Sequence, residues 1–504
     1  MTPDAANPVT EAKQLVQEGR AEDALAVIEP VALAEGASHN ALHAYAGVLK
    51  DLGRIEDAIE VHRRALRDFP ASAVAEHNLA ADLGNIDSWE EAEAACRRAF
   101  EKGGDAPETW LVLGRSLMNQ KRLDEAEAAL REAIARRPTF GEAHRELAQL
   151  IWMRSGDREA AAASLRQAHA AHPESAEVTI QLAKAQQYGG ELDKAYETLG
   201  KAMAARAAPE YALEMMASHV ALVSGRPQAA LEHVGRALQA KPGDVAAGIN
   251  GCDAYLGLGQ PDRAAELAQR LRGLAPLEQQ LVARLATAWR LLGDPRYRTI
   301  YDYETMVRPY IIDTPPGWPD LTAYLADLAA ALKRLHAFET HPFDQSLRGG
   351  SQTSQDLTRV EEPAVRAFFQ AIDGPLRRYM EDVGPGEDIL RRRNTHQYYL
   401  NGIWSVMLRP NGFHIDHTHP AGWLSSACYI ELPEAVDQGG REGWIKFGEP
   451  GIPTEPRLEA EHFVQPQPGL LVLFPSYMWH GTVPFGGDSN RLTVAFDVMP
   501  RPVT

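Results

Sequence analysis

The sequence predicts an all-α array of stacked helical hairpins followed by an α+β domain with a jelly-roll core. Three observations lead there. A small alanine recurs at a nearly fixed period through the N-terminal part of the chain and stops recurring near Gly293. From Thr395 onward the apolar period shortens to that of a strand, and short segments alternate with Pro/Gly turns. The full length of 504 residues also exceeds what one hydrophobic core organises. The expected division is residues 10–293 for the repeats and 294–504 for the second domain.

The alanines are Ala24, Ala58, Ala92, Ala126, Ala161, Ala195, Ala230 and Ala264, spaced 34 or 35 residues apart and mostly preceded by acidic residues. Gly53, Gly156, Gly190, Gly225 and Gly259 mark the turn before the acids. Pro70, Pro138, Pro173 and Pro242 mark a third phase of the same period. These prolines are expected to start each new unit, where a missing N–H costs least. Between the marks, apolar residues such as Ala58, Val61, Ala65 and Leu66 fall at helical spacing. Each unit is therefore two helices and two turns, and the alanine lets neighbouring helices approach.

In this period and phasing the chain resembles the tetratricopeptide repeat over about eight units, from Ala12 to Gly293. The resemblance implies a superhelix whose concave face recognises a protein or peptide. A spacer or an oligomerisation surface is the alternative use.

Composition narrows the remaining classes. Hydrophobic residues make up 45% and charged residues 24%, as in ordinary globular proteins. A net charge of −18 argues against nucleic acid and anionic membrane as general partners. Met1–Asn7 has no basic, then apolar, leader pattern, and no apolar run approaches membrane-spanning length. Cys96, Cys252 and Cys428 show no metal or disulfide spacing, which points to a reducing, cytoplasmic setting.

Beyond Gly293, the segments Arg296–Tyr303 and Asp313–Pro319 read as loops, Leu321–His336 as an amphipathic helix and Pro363–Val383 as a helix pair. His341–Thr353 is a polar, glycine-bearing loop. Nine strands are expected: Tyr398–Leu400, Trp404–Leu408, His414–His419, Ser425–Leu432, Trp444–Phe447, His462–Val464, Gly469–Phe474, Gly481–Val483 and Leu492–Val498. A jelly roll of about eight strands fits that spacing.

The chemistry concentrates in three places: the cluster His414-Ile415-Asp416-His417-Thr418-His419, the distant His480, and Arg491. On a strand, side chains two residues apart share a face about 6.6 Å apart, close enough to converge on one ion. Two pairs qualify. His414 and Asp416 with His480 give two histidines and one carboxylate, the facial set of mononuclear iron(II) oxygenases. His417 and His419 with His480 give three neutral ligands, which suit iron(II), zinc or a cupin-like site. Arg491 can pair bidentately with a carboxylate, and Thr493 shares its face.

From about residue 296 to the end, the chain resembles a bacterial and phage group of 2-oxoglutarate/iron(II) oxygenases that often follow tetratricopeptide repeats. The blocks that carry the resemblance are His341-Pro342-Phe343-Asp344-Gln345-Ser346-Leu347-Arg348, the run His417-Thr418-His419-Pro420 leading into Gly422–Ile430, and Leu473-Phe474-Pro475-Ser476 before His480. Cys428 departs from the group, standing where an aromatic is usual. The resemblance implies a double-stranded β-helix core and iron(II) on His417, His419 and His480. It also implies 2-oxoglutarate as co-substrate on Arg491, Thr493 and Tyr429, with dioxygen. Gln345, Arg348, Gln352 and Trp404 are then substrate or lid residues. The implied activity is hydroxylation of a protein or peptide presented by the repeats. The alternatives are a dioxygenase of a small molecule and a non-catalytic adaptor with a degenerate barrel.

Overall fold

The computed structural model describes residues 7–501 and divides into two compact units, Met1–Leu150 and Ile151–Thr504. Met1–Ala6, on which most of the leader reading rests, lie outside the described residues.

Sixteen helices of 10–15 residues come in eight consecutive pairs from Pro8 to Arg272, and Gln279–Leu292 follows as a seventeenth. All eight periodic alanines are buried, each in the second helix of its pair, where a larger side chain has no room. Gly53, Gly156, Gly190, Gly225 and Gly259 all have φ between 66° and 82° in the turn inside the pair, the left-handed conformation that glycine adopts without strain.

The prolines act differently from expectation. Pro70, Pro138, Pro173 and Pro242 each directly follow the C-cap residue of a second helix and sit in the connection, not at the first position of the next helix. The residue before each has ψ between 61° and 90°, away from helical values. Proline therefore stops one unit by excluding the helical conformation from its predecessor.

Residues 308–500 of the unit 151–504 carry nine strands: β1 (Arg308–Ile311), β2 (Leu347–Gln352), β3 (Tyr398–His414), β4 (Leu424–Glu431), β5 (Ile445–Phe447), β6 (His462–Val464), β7 (Leu470–Pro475), β8 (His480–Thr482) and β9 (Arg491–Pro500). They form two antiparallel sheets, ordered β1-β7-β4-β9-β3-β2 and β6-β5-β8.

The first two expected strands are one. β3 runs unbroken for 17 residues, with a register shift between Asn401 and Ile403 where Gly402 has φ 78°. It stops at His414, so the expected strand His414–His419 does not form. In its place a bend carries His417 into an isolated bridge with His480, at the edge of the smaller sheet. β2 arises in a segment read as a loop and β1 in one assigned to no element, because edge strands this short need a neighbour to define them. β2 lies flush on β3 through glycine: a Cβ on Gly350 would stand 2.4 Å from the Met407 carbonyl.

One face of the large sheet is covered by the helices Leu321–Leu335 and Pro363–Val383, with Phe368 edge-on to Phe496. Pro363–Val383 is a single helix, not a pair. Pro375 lies inside it and has no N–H for the Ala371 carbonyl, and the Asp313 N–H fills that place at 2.9 Å. The opposite face of the sheet is left for the site.

Candidate metal centre and its cleft

Two segments bring three imidazoles together. The turn after β7 delivers His480 at the start of β8, and the bend after β3 delivers His417 and His419. Backbone hydrogen bonds lock the two: His417 N–H to the His480 carbonyl at 2.9 Å, its reciprocal at 3.1 Å, and His419 N–H to the Ser476 carbonyl at 3.0 Å. The nearest ring nitrogens of His417, His419 and His480 all lie within 4.8 Å of one another.

The outward nitrogens fix the tautomers. His417 Nδ1–H donates to the Ile415 carbonyl at 2.8 Å and His480 Nδ1–H to the Met478 carbonyl at 2.9 Å. His419 Nδ1–H donates to the Asp497 carboxylate at 2.7 and 2.9 Å. All three Nε2 atoms therefore present lone pairs inward. Those of His417 and His419 face each other at 3.2 Å, an arrangement that wants a cation between them. Nitrogens at adjacent positions around an ion, each about 2.1 Å from it, stand about 3.0 Å apart. Burial and the neighbouring His419 push His417 down to about 3, and burial also drives His480 well below its usual range. Both rings are therefore neutral near neutral pH, the form a metal requires.

The other candidate pair goes elsewhere. His414 Nδ1 is hydrogen-bonded to Ser346 Oγ at 2.9 Å. Asp416 pairs with Lys446 at 2.8 Å, and Lys446 also holds Glu449. Burial raises the Asp416 carboxyl to about 6 against the pull of that ammonium. The sheet-edge bridge turns His417 toward His480, and the same turn points Asp416 away.

Asp497 was not among the candidate residues, although the strand period pointed to it. Arg491, Thr493, Ala495 and Asp497 alternate along β9 and line one cleft of 690 Å3. Ser425 Oγ donates to Asp497 at 2.8 Å and meets Ser476 Oγ at 2.9 Å, so the carboxylate behind His419 is itself held.

Arg491 is buried in the wall of this cleft. One of its nitrogens donates to the Gly443 carbonyl at 2.8 Å, while Nε finds no partner among the described residues. The Tyr429 hydroxyl, on the neighbouring strand, is buried and unpartnered too. Burial raises that phenol to about 12, so it stays a donor. Two buried donors without acceptors, one of them cationic, fit a carboxylate ligand such as the distal group of 2-oxoglutarate. The Thr493 hydroxyl donates weakly, at 3.4 Å, to the Val406 carbonyl beside them.

Gln345, Arg348, Gln352 and Trp404 line the same cleft. Trp404 stacks at 6.3 Å on His419. The opposite wall comes from repeat helices: Gln187, Tyr188, His219 and Val223. Sequence reasoning did not reach these, because their helices carry an ordinary repeat pattern.

Residues 402–497 match the family described as "Putative 2OG-Fe(II) oxygenase". Residues 39–82 and 107–150, then 153–218 and 221–288, match two tetratricopeptide-repeat families. The chain joins tetratricopeptide repeats to a C-terminal domain of that oxygenase family. Among solved structures, the crystal structure of yeast Tom70 is similar at 16% identity and a TM-score of 0.44, covering 56% of this chain. The chain spans 61% of that structure's length. A tetratricopeptide repeat protein from Parabacteroides merdae is similar at 13% identity and a TM-score of 0.35, covering 50% of this chain and 99% of its own. MamA from Desulfovibrio magneticus is similar at 18% identity and a TM-score of 0.30, covering 34% and 95%. No curated protein matches the chain. No helix among the described residues is long and apolar enough to cross a membrane.

Proposed function

We propose that this chain is an iron(II)- and 2-oxoglutarate-dependent dioxygenase with a jelly-roll oxygenase domain. It hydroxylates a side chain of a protein or peptide recruited by its repeats, in the cytoplasm. One observation carries the reading: three inward lone pairs meet in the same cleft as a buried guanidinium Nε–H and a buried phenol that have no acceptor among the described residues.

His417, His419 and His480 would hold the iron, with Asp497 polarising His419 from behind. Arg491 and Tyr429 would hold the distal carboxylate of 2-oxoglutarate, and Thr493 would flank it. With dioxygen, iron(II) and 2-oxoglutarate held there would supply the chemistry of oxidative hydroxylation of a C–H bond, with succinate and carbon dioxide as co-products. The chain's part is to orient and to exclude water. Trp404 covers one side of His419, and Phe474 packs 4.6 Å from His480 on another. The repeat residues Gln187 and His219, hydrogen-bonded to each other at 2.9 Å, stand at the mouth where a polypeptide substrate would enter.

The test is an anaerobic titration of iron(II) and 2-oxoglutarate, following the visible charge-transfer band of the chelate. The band should survive Asp416→Ala, vanish in His417→Ala, and need far more 2-oxoglutarate in Arg491→Gln. No band and no bound iron in the unaltered protein would leave a repeat-based adaptor. His219→Ala should slow turnover of a peptide substrate while sparing uncoupled 2-oxoglutarate consumption; equal loss of both would count against recruitment through the repeats.

A further inference from the structure

A second cavity, of 340 Å3, lies beside the histidine cleft. Trp152, Arg158 and Tyr188 of the repeat helices wall one side, and His341, Arg348 and Arg409 of the oxygenase side wall the other. Three alanines, Ala161, Ala162 and Ala185, and the ring of Phe343 make much of its lining apolar. Phe343 stacks on Tyr188 at 5.3 Å and on Trp152 at 6.4 Å, so the cavity has flat aromatic walls.

Its charge is unusual for a chain of net charge −18. Arg158 donates to the Gly189 carbonyl at 3.0 Å and lies 5.6 Å from the Trp152 ring. Arg348 donates to the carbonyls of Gln345 and Leu347 at 2.7 and 2.8 Å. Arg409 donates to the Glu339 carbonyl. All three guanidiniums thus meet neutral oxygens, and among the described residues none of them forms an ion pair. Glu339, the one acid in the lining, is exposed; Asp344, which accepts from the Tyr188 hydroxyl, lines the cleft instead. His341 adds a buried Nδ1 with no partner, on a ring edge-on to Trp152 at 5.8 Å. Three cations, a free imidazole nitrogen and aromatic walls define a receptor for an anion with a flat apolar body.

We propose that this cavity binds a small aromatic carboxylate, its carboxylate among Arg158, Arg348 and Arg409 and its ring against Trp152 and Phe343. The site is distinct from the histidine cleft, and the proposal stands whether or not the chain is an oxygenase. Tyr188 and Arg348 line both spaces, so an occupant bears on the Asp344–Gln345 segment at the cleft mouth.

The experiment is ligand-observed fluorine NMR of 4-(trifluoromethyl)benzoate with the full-length protein, with its methyl ester as the neutral control. The acid should bind and the ester should not. Arg158→Gln and Arg409→Gln, both at exposed positions outside the cleft, should each weaken binding about tenfold, the scale of a lost charge-assisted hydrogen bond. Arg491→Gln should leave binding unchanged. Absence of binding at millimolar probe overturns the proposal. So does binding that Arg491→Gln abolishes while Arg158→Gln and Arg409→Gln leave it intact, which would assign the probe to the cleft.

Discussion

Asp497 carries the charge that the three histidines lack. Because it accepts the His419 Nδ1–H with both oxygens, it fixes the ring and raises the basicity of the opposite nitrogen. Asp497→Asn keeps an acceptor but loses the charge, and iron(II) affinity should fall by about 10–100-fold. Competition against a fluorescent chelator measures this, and an unchanged affinity would remove Asp497 from the centre. His341 gives a residue-scale pH effect. Burial, with Arg348 and Arg158 nearby, pushes its imidazole down to about 4. The unfolded chain, near 6.5, binds more protons than the folded one between those values. Stability therefore rises with pH across that window, and is lost as pH falls from about 6.5 toward 4. Urea midpoints across the window should show this slope, and His341→Asn should flatten it; identical slopes in the two proteins would show that His341 does not contribute.

Among the elements, β9 and β3 do most to shape the site. β9 sends Arg491, Thr493 and Asp497 to the cleft, and Leu492, Val494, Phe496 and Val498 to the core. A slip of one residue would exchange the two sets, so the register is bound to the burial of the apolar face. β3 supplies the other half through Trp404 and Val406, opposite Ala495 and Thr493. β2 extends this surface with Gln352, and its approach depends on Gly350. In Gly350→Ala the new methyl meets backbone atoms, the Met407 carbonyl and the Leu408 Cα, that have no rotamer to give way. A loss of about 1–3 kcal/mol in unfolding free energy is expected from such overpacking. Chemical denaturation reads it directly, and a change near zero would mean β2 shifts without cost.

Across the unit 151–504, the last repeats and the sheets share one hydrophobic core that runs from Cys252 to Val498. Trp479, next to His480, donates from Nε1 to Thr287 Oγ1 at 3.0 Å, and its backbone N–H reaches the Tyr301 hydroxyl at 3.0 Å. Arg284 lies 5.0 Å from the Trp479 ring and is held by Asp253 through two hydrogen bonds of 2.8 and 2.9 Å. Arg290 caps the carbonyls of Gly448 and Glu459. The helix Gln279–Leu292 thus braces the turn that delivers His480. A fragment of residues 151–504 should unfold cooperatively, whereas residues 294–504 alone should expose Trp479 and give no cooperative transition. Calorimetry on both fragments decides this, and a sharp transition in the shorter one would mean the repeats are dispensable to the oxygenase domain.

The repeat array was legible in the sequence because each hairpin is made by residues close in the chain. Buried Ala24 through Ala264 and the left-handed glycines imprint their period directly. The sheet face of β9 was legible for the same kind of reason, since alternation is local. The histidine cluster was legible as a metal-type motif, but not the pair within it. Tertiary structure brings one pair to His480: β3 ends at His414, and the bridge from His417 to His480 turns two imidazoles inward and sends Asp416 to Lys446. The same holds for β1 and β2, the repeat residues in the cleft wall and the arginine-lined cavity. Each depends on partners more than fifty residues away in sequence, and no local period records such contacts.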